Sequence, residues 1–182
     1  LGVFIKLILL IFIMTAGLLF IQFGVAGIIA HRNPFKMLKN MMTAYFTALG
    51  TQSSAATIPV TLQQTIKNGV DPAIASFVVP LCATIHLSGS AMKITACALA
   101  IMMITGLEID PAMVVGFIFM LGITMVAAPG VPGGAIMAAV GILQSILGFD
   151  ETAVALMIAL YIAMDSFGTA TNVTGDGAIA MI

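Results

Sequence analysis

The sequence predicts an all-α membrane protein in which spanning helices alternate with two re-entrant helical hairpins, arranged as an inverted repeat with discontinuous helices at the midplane. Three observations lead there. Hydrophobic residues make up 61% of the chain and charged residues 7%, with a mean hydropathy of +1.20, too little polar surface to face water on every side. The apolar segments come in two lengths, some able to cross a hydrocarbon core of about 30 Å and others suited to half of it. Basic and acidic residues gather around different half-length segments.

The first element, about residues 1–31, contains the charge-free run Leu7 to Ala30 and is expected to span. The second, 40–68, is apolar to Gly50, polar from Thr51 to Ser54 and apolar again to Leu62. Each arm suits half a bilayer, so it reads as a hairpin that enters and leaves on one side, tolerated only where its tip is buried in protein or lines a wet cavity. The third, 72–105, is long enough to span but is interrupted by His86 and Lys93, and is expected to be a broken helix. The fourth, 111–149, repeats the hairpin plan around "AAPGVPGGAIM", Ala127 to Met137, where two prolines and three glycines interrupt the helical pattern. The fifth, 151–182, is expected to span with Asp165 and Asp176 inside it.

Charge placement orients these elements. Arg32, Lys36, Lys39 and Lys67 flank the first hairpin, whereas Glu108, Asp110, Asp150 and Glu151 flank the second, so the first is expected to open to the cytoplasm and the second outside. A spanning helix plus a hairpin from one side, followed by the same pair from the other, is the inverted repeat of secondary transporters. A broken tip offers backbone N–H and C=O groups to a substrate anion or a desolvated cation, which an intact helix cannot do. The chain begins at Leu1 and is expected to be a fragment of a longer protein.

Composition also sets classes aside. A net charge of −1 gives no basic face for nucleic acid, and Cys82 and Cys97 sit in apolar runs rather than at metal-ligand spacing, as ordinary packed thiols do. In the last element Asp165, Thr169, Asn172 and Asp176 fall at i, i+4, i+7 and i+11 and share one helix face. Carboxylates are expensive to bury in a membrane and are functional candidates by default. Their oxygens suit a monovalent cation or the ammonium of an amino acid. The plainer reading is that they pair with charges in another part of the protein. An aspartyl protease dyad is excluded, because eleven helical positions separate Asp165 from Asp176 by about 16 Å; no enzyme activity is expected. A channel is the alternative from another class, since hairpins with polar tips also build filters.

The blocks "SSAATIPVT" (Ser53 to Thr61), "PLCATIHLSGS" (Pro80 to Ser90), "GVPGGAIM" (Gly130 to Met137) and "NVTGD" (Asn172 to Asp176) resemble, in order and spacing, the signature blocks of the dicarboxylate/amino acid:cation symporter family. That resemblance implies a substrate site made by Ser54, Leu87, Ser90, Val131, Asp165, Gly168, Thr169 and Asn172. Asp165 would receive the substrate amino group, Thr169 and Asn172 its amino and carboxylate groups, and Ser54 the carboxylate. Val131 would touch substrate from the second hairpin, which in the family is the gate. The resemblance also implies sodium as the coupling ion, held in one site by Asp176 with carbonyls of Cys82, His86 and Asn172, and in another by Thr84 and the backbone of Met125, Val126 and Ala128. It implies a homotrimer in the lipid of the cell membrane, with no cofactor.

Departures from the family pattern bear on substrate and ion. Acidic-substrate members place an arginine where this chain has Gly168, and some place one where it has Gln52. Without a bidentate guanidinium, a side-chain carboxylate loses a strong partner, so a small neutral amino acid is expected, with a C4 dicarboxylate or an acidic amino acid as the alternative. Lys93 is open to two readings, a cation supplied by another route or an amine that snorkels or pairs elsewhere. The family's Asn-Met-Asp-Gly-Thr reads here His86-Leu87-Ser88-Gly89-Ser90, which alters a third sodium site and leaves a histidine able to carry a proton instead.

Overall fold

The computed structural model describes residues 2–182, with side chains described from Ile5 onward. Those residues form nine α-helices and no strand. The first, α1 (Gly2–Ile29), is apolar all round and leaves Leu9, Phe12, Ile13, Phe20, Ile21 and Ile28 exposed, as a helix facing lipid or another apolar surface does.

Helices α2 (Pro34–Thr51) and α3 (Ser54–Lys67) follow. The chain enters α2 six residues before the expected start, because Asn33 caps it, accepting from the N–H groups of Phe35 (3.0 Å) and Lys36 (3.2 Å), and Pro34 supplies a preset first turn. Two residues, Gln52 and Ser53, join the pair. Gln52 adopts the left-handed conformation (φ 53°), and Ser53 caps α3 through Ala56 N–H. The two helices run antiparallel: Asn40 meets Asn68 (2.7 Å) near the open end and Thr51 meets Thr57 (2.9 Å) near the tip. Arg32 donates to the carbonyls of Asn68 and Gly69 and ties the base together.

The same start signal recurs downstream. Asp71-Pro72 opens α4 (Pro72–Ile85) and Asp110-Pro111 opens α6 (Pro111–Met125), with the aspartate side chain accepting from first-turn N–H groups each time. Between them lies α5 (Ser88–Thr105). The stretch 72–105 is therefore two helices, separated at His86 and Leu87, whose backbones are extended or irregular. Helix α7 (Gly134–Leu147) packs against α6 across the loop 126–133.

The fifth stretch departs from expectation. Instead of one spanning helix it is two, α8 (Glu151–Ala163) and α9 (Asp165–Ile179), bent by 61° at Met164. At the bend Met164 has a non-helical backbone (φ −120°, ψ 14°), and its carbonyl accepts from the buried Lys93 Nζ at 3.2 Å. Helix α9 then runs through the centre of the molecule with twelve residues buried and packs on α1, α2, α3, α4 and α5. One apolar core gathers α5, α6, α7 and α8 around Met102, Phe117, Leu143 and Met157; a second gathers α1, α2 and α9 around Phe23, Met41 and Val173. Ile5–Ile29 and Pro72–Thr105 are each long and apolar enough to cross a membrane, and α8 with α9 qualifies if the bent pair is one span.

Candidate substrate and ion site

Four structural breaks converge on α9. The tip of the α2–α3 pair touches the α6–α7 loop directly: Gly130 O accepts from Ser53 Oγ (2.9 Å) and from Ala55 N–H (3.2 Å). Glycine is needed there, since a Cβ on Gly130 would lie 2.8 Å from the backbone oxygen of Ala83 at the end of α4. The α4–α5 break reaches α9 through Asn172, whose Oδ1 accepts from the N–H groups of Gly89 (2.8 Å) and Ser90 (3.3 Å). This side chain caps α5 from another helix, where the chain's own Leu87 cannot. The bend at Met164 presents Asp165 as the first residue of α9.

Seven of the eight residues expected to touch substrate, Ser54, Leu87, Ser90, Val131, Asp165, Thr169 and Asn172, line one cavity. The eighth, Gly168, lies beside it: a Cβ there would meet Lys93 Nζ at 3.1 Å and Ser90 Oγ at 3.4 Å. The cavity measures about 10 Å³, room for one water at most, so an amino acid enters only if a wall moves. Val131, on the α6–α7 loop, is the exposed member of the set. Asn172 is less free than its expected role requires, because its Nδ2 also donates to Ser90 Oγ at 2.9 Å.

Asp165 has both oxygens engaged. Lys93 Nζ donates to Oδ1 at 3.1 Å, and the N–H of Gly133, a left-handed residue (φ 73°) in the α6–α7 loop, donates to Oδ2 at 2.8 Å. The Lys93 side chain is 0% exposed, with its ammonium 3.5 Å from the centre of the Tyr161 ring. The reading in which Lys93 snorkels or pairs elsewhere is therefore overturned, and so is the one in which the two aspartates pair outside this chain. Burial of one charge in an apolar core is relieved by the other.

Asp176 is paired too. His86 Nδ1 lies 2.8 Å from its Oδ1, and His86 Nε2 lies 2.8 Å from Ser88 Oγ and 3.1 Å from Gln22 Nε2. Gly175 makes room for this cluster, since a Cβ on it would meet His86 Cε1 at 2.6 Å. Of the other residues expected around sodium, Cys82 is buried and its carbonyl accepts from His86 N–H. Thr84 is exposed and donates to Leu81 O. The carbonyl of Met125 accepts from Ala128 N–H within the turn that ends α6, and Val126 is exposed. His86 and Asp176 thus meet directly, whereas Thr84 and the Met125–Ala128 turn belong to different elements. Among the described residues no three or more His, Cys, Asp or Glu side chains converge as a metal site.

Sequence reasoning missed Tyr161 and Gln22. Tyr161 lines the cavity four positions before Asp165, a helical spacing that marked it. Gln22 is a lone amide in an otherwise apolar segment, a polar group that needs a partner inside the protein.

The pattern of the Sodium:dicarboxylate symporter family matches residues 1–182. Similar curated proteins include Excitatory amino acid transporter 4 of Mus musculus (33% identical over 150 residues, 82% of this chain and 27% of that protein). Excitatory amino acid transporter 2 of Homo sapiens is 31% identical over 150 residues, 82% of this chain and 26% of that protein. Excitatory amino acid transporter 5 of Homo sapiens is 32% identical over 155 residues, 85% of this chain and 28% of that protein. The chain spans about a quarter of the length of these relatives.

Proposed function

Because the chain belongs to the sodium:dicarboxylate symporter family, we propose that the protein is a secondary active symporter that couples sodium entry to uptake of a small amino acid by alternating access. The observation that carries this reading is the convergence of Ser54, Leu87, Ser90, Val131, Asp165, Thr169 and Asn172 on one small cavity. Polar tips and broken helices that meet at a buried acidic residue are what a carrier needs to strip water from a charged solute. The α2–α3 and α6–α7 pairs are the two re-entrant hairpins, related as an inverted repeat. The first opens to the cytoplasm and the second, carrying Val131 and Gly133, is the gate. The carrier works in the cell membrane as a homotrimer.

The substrate in this reading is neutral. Asp165 receives its ammonium, Ser54 and Thr169 its carboxylate. Neither Gly168 nor Gln52 offers a guanidinium, and the positive charge of Lys93 is already balanced by the charge of Asp165. A substrate with a second carboxylate would bring a charge for which the site has no free partner.

Sodium sits at Asp176, with carbonyls of Cys82, His86 and Asn172, and a second ion at the Met125–Ala128 turn and Thr84. Coupling follows from linkage: if sodium and substrate each stabilise the closed gate, each raises the affinity for the other by the same factor. Asp176→Asn is expected to raise the sodium concentration for half-maximal uptake by about tenfold, equivalent to about 1.4 kcal/mol. Uptake measured across a sodium titration checks this, and an unchanged sodium dependence contradicts the assignment of Asp176.

A further inference from the structure

We propose, resting on the symport reading, that Lys93 is a tethered counter-cation: its ammonium and the ammonium of the substrate alternate on Asp165. The geometry that points to this is specific. Lys93 is held at 3.1 Å from Asp165 Oδ1, on the carboxylate that faces the substrate cavity. Its other contacts are a backbone carbonyl, Met164 O at 3.2 Å, and the face of Tyr161 at 3.5 Å. Neither carries a formal charge, so Asp165 is the anion that neutralises it. The long, unbranched side chain passes through space that Gly168 leaves open; a Cβ at that position would sit 3.1 Å from Nζ. The ammonium therefore has both a charged partner and a neutral resting place within one side chain's reach.

A carrier must return its transport domain across the membrane after releasing substrate. If Asp165 lost a substrate ammonium and gained nothing, the return would move an unpaired buried carboxylate through an apolar core, which is strongly unfavourable. Lys93 removes that barrier by taking the vacated oxygen. Gly133 N–H on Oδ2, at 2.8 Å, completes the set and ties the gate loop to α9, so the closed form needs no solute to satisfy the carboxylate. When a zwitterion enters, its ammonium takes Asp165 and Lys93 falls back on Met164 O and the Tyr161 ring. The site keeps zero net charge in both forms, since the zwitterion adds none. A consequence is that the return step draws no counter-cation from solution.

The test uses the full-length carrier in liposomes and separates two rates, net uptake into vesicles without internal substrate and exchange with internal substrate, which bypasses the substrate-free return. For the natural protein, net uptake is expected to be the same when internal sodium and potassium are replaced by N-methylglucamine; a requirement for an internal alkali cation overturns the proposal. In Lys93→Met, net uptake is expected to fall at least tenfold more than exchange, and internal methylammonium is expected to restore part of it. Equal loss of both rates overturns the proposal. Lys93→Arg, which keeps the charge, is expected to keep the ratio of the two rates near that of the natural protein, and a ratio that falls as in Lys93→Met overturns it. If the natural protein shows neither rate with any amino acid, the symport reading itself has failed, which is a different result.

Discussion

Lys93 and Asp165 show how a single pair decides what a membrane site can bind. Both side chains are sealed from solvent, at 0% and 4% exposure, and each has its opposite charge 3.1 Å away. Removing one partner of such a pair costs about 3–5 kcal/mol, because the charge left behind has no water. The same packing defines what Gly168 permits. An arginine there brings its first side-chain carbon to 3.1 Å from the Lys93 ammonium and a second positive charge into the same space. Gly168→Arg alone is therefore expected to impair uptake of neutral amino acids without admitting acidic ones. Combined with Lys93→Met, which clears the competing charge, it is expected to shift preference toward acidic amino acids by tenfold or more. Competition between labelled neutral and acidic substrates reads this out. A double variant that still ignores acidic substrates places specificity elsewhere.

At the scale of elements, α9 is held by close approaches that only glycine allows. A Cβ on Gly89 would lie 2.7 Å from Thr171 Cβ and 2.8 Å from Gly168 O, both on α9, so any side chain there forces α5 and α9 apart. Gly89→Ala is expected to lower stability by about 1–3 kcal/mol through overpacking, visible as a lower melting temperature in detergent. Unchanged melting would mean that α5 and α9 pack less tightly than described. Much of this arrangement was legible in the sequence. Hydrophobic lengths marked α1 and the two helix pairs, and His86 stands at the α4–α5 break, whereas Lys93, also read as an interruption, lies inside α5. The bend at Met164 was not legible, because Met164 is an ordinary helix former; what bends the chain there is Lys93 reaching its carbonyl from a position 71 residues away. The residues expected at the cavity came from the family resemblance and from the shared helix face of Asp165, Thr169 and Asn172, whereas their pairings depended on which charges meet in space. Asp165 with Lys93 and Asp176 with His86 are long-range contacts that hydropathy periodicity does not encode.

For the whole molecule, the two helix pairs meet at their tips through Gly130 O and the Ser53 hydroxyl, and one polar helix threads between two apolar cores. Most of α9 is buried although it carries two aspartates, an asparagine and three threonines. A helix of that composition at the centre of an apolar protein is unfavourable for stability alone; Asp165, Thr169 and Asn172 face the cavity, Asp176 the His86 cluster, and Thr171 and Thr174 bond carbonyls of their own helix. In the function we propose, these features belong to a carrier in which sodium and a neutral zwitterion close one gate together. The measurement that tests it most directly is uptake of labelled neutral amino acids, acidic amino acids and C4 dicarboxylates by the full-length protein in liposomes, with a sodium or a proton gradient imposed separately. Sodium-driven accumulation of a small neutral amino acid, with acidic compounds excluded, is the predicted result. Proton-driven accumulation of a dicarboxylate would contradict it, and would move coupling to His86 and substrate recognition to Lys93.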